Sequence, residues 1–271
     1  MAIEKTEAII LKSYNWSETS RLVEVFSRDF GKLVLVDKGG RRFKTKRGRL
    51  VPLARMDVTI YKTKKSPKAY LSETELVQSH TFEKEGTVGR LAFASAACEL
   101  VRSLLSEDQP HASLYGLFAD FLNLVDKVDK DKLPPLFLSF FLQLLSELGY
   151  QPSLEYCVGC RKTMTAGQAV KTDIQFAPAQ GGLVCNACQS AGDYYIALSR
   201  DSFRQLLALQ HCALSEAATV AIGYAEAMYL AQMLVKFTGY QTGVVSELKS
   251  LRFLAKLKAG VQMNTKVNGK T

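Results

Sequence analysis

At about His80 the spacing of apolar residues changes from every second position to every third or fourth, which confines the chain to a β part followed by an α part. Before that point five short alternating runs stand between turn signals: TEAIILK, RLVEVFS, GKLVLVD, MDVTIYK and AYLSETELV. Arg28-Asp29-Phe30-Gly31 separates the second run from the third, so these two are expected to form a hairpin. Five strands in under eighty residues, with no helix of useful length between them, predict a small closed barrel. The five-stranded nucleotide-binding barrel, the OB-fold, is the economical form. An SH3-like barrel fits the strand count nearly as well, and periodicity does not separate the two.

After His80, Val88, Leu91, Ala92, Ala96, Leu100, Val101, Leu104 and Leu105 trace one helix face, which stops before Pro110. Leu114, Leu117, Phe118, Phe121, Leu122 and Val125 trace a second. Pro134 and Pro135 open a third helix, apolar nearly all round, and Gly149 stands where a C-cap wants glycine. Such a helix belongs at the centre of a bundle. The run Leu133 to Leu148 is too short to cross a bilayer, which needs roughly 20 residues, and it carries Gln143 and Glu147. Further helices are expected from Ser199 to about Gln210, Ser215 to about Phe237 and Ser246 to Leu257, each serine placed as an N-cap. The fold class is therefore α+β, with a barrel domain at 1–80, a helical domain at 81–260 and a flexible tail at 261–271.

Inside the helical domain, Cys157-Val-Gly-Cys160 is followed after 24 residues by Cys185-Asn-Ala-Cys188. A two-residue gap lets both thiolates of a tight turn face one ion at about 2.3 Å, and two such turns complete a tetrahedron. An insertion at about 153–195 holding one structural zinc ion on Cys157, Cys160, Cys185 and Cys188 is expected, with Gly159, Gly181 and Gly182 in the turns; the gap is longer than the common ribbon spacing, which costs little if it holds a β-hairpin of its own. Iron-sulfur or redox pairs are the alternatives. Four sulfur ligands leave no position for water, so this metal folds chain and performs no chemistry. Cys98 and Cys212 stand alone in helical patterns and read as small buried hydrophobes. The N-terminus MAIEKTEAIILK lacks the basic region and apolar block of a secretory signal, so a cytoplasmic location without membrane attachment is expected. In that reducing setting six cysteines point to metal or burial and away from disulfides.

Charge is concentrated in one place. Lys38 to Lys68 holds twelve Lys or Arg against Asp57, a net +11, while the whole chain is +9, so everything outside sums to −2. A polyanion bound at one site is the direct reading, because phosphates supply regular negative charge and binding releases counterions. The candidate contacts are Lys38, Arg41, Arg42, Lys44, Lys46, Arg47, Arg49, Lys62, Lys64 and Lys65. Phe43, Tyr61 and Tyr70 interleave aromatics with these cations, as single-strand binding requires, and Tyr14 and Trp16 in SYNWSETS stand where a rim of the same surface would lie. Against this stand a plain solvated lysine-rich loop and aromatics that serve the core.

No catalyst is legible. The three histidines, His80, His111 and His211, fit no metal or triad spacing, and there is no Walker loop, G-x-S-x-G or H-E-x-x-H. The acids near the basic block, Asp29, Asp37 and Asp57, show no metal-ligand spacing. An enzyme is not expected.

Three pieces together resemble the bacterial recombination mediator RecO family: YNWSETSRLVEVFSRDFGKL after TEAIILK, the loop KGGRRFKTKRGRLVPL, and EYCVGC with FAPAQGGLVCNAC. The resemblance covers almost the whole chain. It implies an N-terminal OB-fold and a helical C-terminal domain with a zinc-binding element. It further implies a cytoplasmic, nucleoid-associated protein without turnover that binds single- and double-stranded DNA and anneals complementary strands. With RecR, such a protein helps load RecA onto strands covered by single-strand-binding protein, whose acidic tail it contacts through the helical domain. By position, Arg41, Arg42, Lys44, Lys46, Arg47 and Arg49 take the place of the family's DNA contacts. The four paired cysteines take the place of its zinc ligands. Two rival readings are an RNA-binding barrel-and-zinc protein of the translation apparatus and a pure assembly adaptor.

Overall fold

The computed structural model describes residues 2–41, 50–63, 66–164, 174–244 and 247–257. Five strands, β1 (Ala2–Asn15), β2 (Arg21–Ser27), β3 (Gly31–Asp37), β4 (Arg55–Thr63) and β5 (Ser66–Gln78), close into a barrel in the order β1-β2-β3-β5-β4. β4 returns antiparallel onto β1, and β3 meets β5 in the one parallel pairing among them, Leu35 opposite Ala69 and Val36 opposite Tyr70. This Greek-key closure is that of the OB-fold, and it decides against the SH3-like alternative. The expected hairpin stands, with Ser27 opposite Gly31.

Alternation builds the barrel core. Ala8 and Ile10, Val23 and Val25, Leu33 and Leu35, Met56, Val58 and Ile60, and Ala69 and Leu71 form one buried cluster, because residues two apart point to the same side of a strand. Gly31 has φ +73°, and a Cβ there would stand 1.8 Å from the Gln109 carbonyl oxygen, so both backbone angle and space demand glycine.

Helices α1 (Thr87–Leu104), α2 (Ala112–Lys127), α3 (Leu133–Glu147), α4 (Arg200–His211) and α5 (Tyr224–Thr242) follow. The chain divides into two compact units, one of 1–83 with 101–126 and one of 84–100 with 127–271. In the first unit the Phe26 ring meets Tyr115 of α2 edge-on at 5.6 Å. The Tyr115 hydroxyl donates to Glu7 Oε1 at 3.0 Å, and burial with that carboxylate beside it raises the phenol's pKa.

In the second unit α3 packs against α4 and α5 and is buried on nearly every side, including Phe137, Phe140 and Phe141. Its end is a Schellman closure. Gly149 adopts φ +80°, its N–H reaches Ser146 O at 3.0 Å, and Tyr150 N–H reaches Leu145 O at 2.8 Å. Ser199 caps α4 as expected, accepting from Ser202 N–H at 3.0 Å.

The helix expected from Ser215 starts later. Residues Leu214–Thr219 form a 3-10 turn, the chain then extends, and α5 begins at Tyr224 behind Gly223. The run Thr219, Val220, Ile222 and Gly223 explains the delay, since β-branched side chains and glycine both oppose helix continuation. Ser246 lies outside the described residues, as does the expected tail at 261–271; residues 249–257 are helical. Glu99 of α1 caps that last helix, accepting from Lys249 N–H at 2.7 Å and Ser250 N–H at 3.0 Å. Among the described residues no helix is long and apolar enough to cross a membrane.

Candidate nucleic-acid interface and metal centre

One face of the barrel unit gathers aromatics and cations. Tyr61 and Tyr70 are cross-strand partners on β4 and β5, and their rings stack at 5.2 Å and 18°. The Lys38 ammonium lies 4.5 Å from the Tyr70 ring centre, and the Lys68 ammonium 4.3 Å from that of Trp16. Both lysines are exposed and Trp16 is half exposed. Lys68 and Tyr70 are two apart on β5, so the strand's pleat puts them on one side and links the Trp16 loop to the tyrosine stack.

The loop after β3 starts from an anchored point. Asp37 is fully buried and takes Arg21 Nε at 2.6 Å, a charge-assisted contact between residues already paired across β2 and β3. Gly40 passes so close that a Cβ there would stand 1.9 Å from Asp37 Oδ2. Arg41 then turns onto the β1–β2 loop: its N–H donates to Thr19 O at 3.1 Å and its guanidinium to Ser17 O. The first arginine of the basic run is thereby held beside the loop that carries Trp16.

Of the ten candidate contacts, Lys38 lies over Tyr70 and Arg41 against the Trp16 loop. Arg42, Lys44, Lys46, Arg47, Arg49, Lys64 and Lys65 lie outside the described residues, as does Phe43, and Lys62 is described as a β4 backbone position only. Tyr14, expected on the rim with Trp16, is engaged elsewhere, donating to Glu24 Oε1 at 3.0 Å. Lys68 was not among the candidate contacts, although it closes the basic stretch Lys38 to Lys68 and directly precedes the run AYLSETELV.

The cysteine quartet closes on itself in the second unit. The Sγ atoms of Cys157, Cys160, Cys185 and Cys188 all lie within 4.8 Å of one another, and Cys160 and Cys185 stand 3.7 Å apart. A tetrahedral ion with arms of about 2.3 Å has sulfur edges of about 3.8 Å, so the four sulfurs can share one metal ion. Cys157 is the buried member and Cys160 the exposed one.

Two turns present the sulfurs. In the first, Cys157 N–H bonds Lys162 O at 2.9 Å and Arg161 N–H returns to Cys157 O at 2.9 Å, with Arg161 in the left-handed region at φ 62°. In the second, Cys188 N–H reaches Cys185 O at 2.9 Å. Between them β6 (Ile174–Ala177) and β7 (Gly182–Val184) form a hairpin, which accounts for the long gap, and β8 (Ile196–Leu198) joins on the far side of β6. A Cβ on Gly159 would stand 3.0 Å from Cys188 Cβ, so the knuckles approach at the limit that glycine permits.

Burial tends to raise the Cys157 thiol, but backbone N–H groups of Cys160, Cys185 and Gly159 outweigh it and bring the pKa down to about 6. Cys185 N–H points at Cys157 Sγ from 3.3 Å. The thiol of Cys188 is pushed up to about 12 by hydrogen bonding with Cys185 and Cys160. Sulfurs held this close favour the cationic centre that would neutralise them together.

The chain matches the family model described as Recombination protein O N terminal over residues 1–80 and that described as Recombination protein O C terminal over 86–252. It is similar to the protein named DNA repair protein RecO of Symbiobacterium thermophilum, with 34% identity over 73% of this chain and 76% of that one. The protein of the same name from Syntrophus aciditrophicus is 25% identical over 95% of this chain and 97% of its own length. That from Caldanaerobacter subterraneus is 34% identical over 69% and 72%. With both terminal models matched in order and relatives aligned over most of their length, the chain belongs to the RecO family.

Proposed function

We propose that this protein is a non-enzymatic DNA-binding recombination mediator of DNA repair, which anneals complementary single strands. With RecR, it helps load RecA onto strands covered by single-strand-binding protein. The observation that carries the reading is the barrel face where Lys38 and Lys68 lie over Tyr70 and Trp16 beside the start of the basic loop. Bases of any identity stack on such rings while phosphates meet the cations, so binding needs no base-edge contact and the edges stay free to pair. Two strands repel as polyanions, and covering their phosphates lowers that repulsion.

In this reading residues 1–80 form the nucleic-acid-binding domain, and 81–260 the helical domain with its insertion. Lys38, Arg41, Arg42, Lys44, Lys46, Arg47, Arg49, Lys62, Lys64 and Lys65 engage phosphates. Cys157, Cys160, Cys185 and Cys188 hold one zinc ion, which folds the insertion. The working place is the cytoplasm, on the nucleoid.

A protein partner finds support in the second unit. An apolar cleft of 1010 Å³ there is lined by Val88, Phe93, Leu133, Pro134, Leu254 and Leu257, with Lys130 and Asp131 also on its wall and Lys130 paired with Glu85. Its apolar lining is what supports the reading, because it could take the apolar side chains of the tail of single-strand-binding protein.

The test is a binding isotherm for a short single strand at several ionic strengths, with and without Arg41, Arg42 and Lys44 changed to Glu. Weaker binding and a flatter salt dependence in the variant are expected. An unchanged slope places the site elsewhere, and the same strand made of RNA, bound more tightly, would favour the translation-apparatus reading.

A further inference from the structure

The second unit carries an aromatic and cationic surface of its own beside the cysteine module. Tyr194, Tyr195, Tyr229, Gln232, Met233 and Lys236 line one open cleft of 160 Å³ formed by the chain before β8 and by α5. Tyr194 and Tyr229 are both exposed and line the same cleft. Their positions are secured at the polar ends. The Tyr229 hydroxyl donates to Ala197 O at 2.6 Å, and Lys236 Nζ donates to the Tyr194 hydroxyl at 2.6 Å while lying 4.9 Å from that ring's centre. Tyr195 is packed into the small core around Cys157, Cys185 and Cys188, and its hydroxyl accepts from Ser190 N–H at 2.8 Å. The acid nearby, Asp193, is engaged by Gln180 Nε2 at 3.0 Å and by the Tyr195 hydroxyl at 3.3 Å.

We infer that this cleft is a second single-strand site, in which Tyr194 and Tyr229 stack one unpaired base and Lys236 meets the adjoining phosphate. The inference rests on the reading of the protein as a nucleic-acid binder and gives annealing a place for a second strand. Three features favour a nucleotide over other occupants. The cleft has room for about one planar ring, its rings are pre-positioned by their hydroxyls, and its contribution of charge is a cation. The cysteine cluster then has a functional consequence, since the core it organises sets Tyr195 at the wall of the cleft.

The experiment is photo-crosslinking of the full-length, metal-replete protein to a single strand substituted with 5-iododeoxyuridine, with the attached peptides identified by mass spectrometry. Attachment is expected both at a peptide containing Tyr194 or Tyr229 and at one containing Trp16 or Tyr70. Attachment at the barrel peptides alone overturns the second site and leaves the DNA-binding reading standing. No attachment anywhere overturns both, and attachment at the cleft alone keeps the second site while removing the barrel from its role.

Tyr229→Ala with Tyr194→Ala, both exposed positions, is expected to slow annealing on the order of 5- to 100-fold per stacked base lost. Tyr229→Phe, which keeps the ring but loses its tether to Ala197 O, is expected to anneal faster than the double Ala variant. Equal annealing by the double Ala variant overturns the proposal. So does protection of Tyr194 by a proline-rich peptide but not by the single strand, which would make the cleft a protein-docking site.

Discussion

The Arg102 guanidinium holds the Glu24 carboxylate through two hydrogen bonds, Nε to Oε2 at 2.6 Å and Nη2 to Oε1 at 3.0 Å. This fork joins β2 to the last turn of α1 within the barrel unit, and Tyr14 adds a third donor to the same carboxylate. Burial raises Glu24, but the Arg102 and Tyr14 contacts outweigh it and leave its pKa below the ordinary value of 4.5. A depressed carboxylate contributes stability above its unfolded pKa and loses it as pH falls through the folded pKa. Glu24→Gln is therefore expected to lower stability at pH 7 by about 1–2 kcal/mol, with the deficit vanishing well below pH 4.5. Denaturant melts across that pH range check it, and a deficit that persists in acid would assign the loss to packing.

Trp16 is the chain's one tryptophan, so its fluorescence reports on the barrel face alone. Adding a single strand is expected to quench it, since a stacking base displaces Lys68 from the ring. Trp16→Ala is expected to weaken single-strand binding by about 1–3 kcal/mol, read by anisotropy of a labelled strand. Saturating binding with unaltered emission would remove Trp16 from the interface.

Salt dependence tests the basic loop separately from the rings. With about six to eight phosphates engaged, log affinity for a single strand falls against log salt with a slope of roughly −4 to −6, at about 0.7 per phosphate. Changing Arg41, Arg42 and Lys44 to Glu should bring the slope about 2 units nearer zero. Trp16→Ala should leave the slope unchanged and shift only the intercept, because a ring neutralises no phosphate.

Refolding in the presence of zinc is expected to leave one ion per chain, and Cys157→Ser to abolish it, because the buried sulfur is the one to which the other knuckle's N–H is directed. Gly159→Ala is expected to weaken metal retention by about tenfold, since its Cβ must push Cys188 aside. Metal analysis after dialysis against a chelator reads both. A full complement in Cys157→Ser would mean that the four sulfurs do not act as one site.

Local chemistry made much of this fold legible. Alternation marks the five strands because a barrel interior accepts every second side chain, and two residues between paired cysteines suffice to turn both sulfurs one way. Gly149 is readable as a helix end for the same reason: the left-handed angle it adopts is one that other side chains resist. These signals are all carried by residues near one another in the chain. They fail where near neighbours conflict, as at Ser215, where a good N-cap residue precedes a β-branched run that the helix does not cross.

Tertiary structure alone decided the rest, because it depends on partners far apart in the chain. The SH3-like alternative fell to the β3–β5 pairing, across more than thirty residues. Tyr14 near the end of β1 and Trp16 just after it are two apart, yet Glu24 draws the first into a hydrogen-bonded network while Lys68 on β5 meets the second. Lys236 and Tyr194 lie 42 residues apart, and no periodicity relates them; only the packing of α5 beside the cysteine module makes them neighbours. Charge and apolar spacing are written residue by residue, whereas a binding face is a property of chain segments brought together by folding.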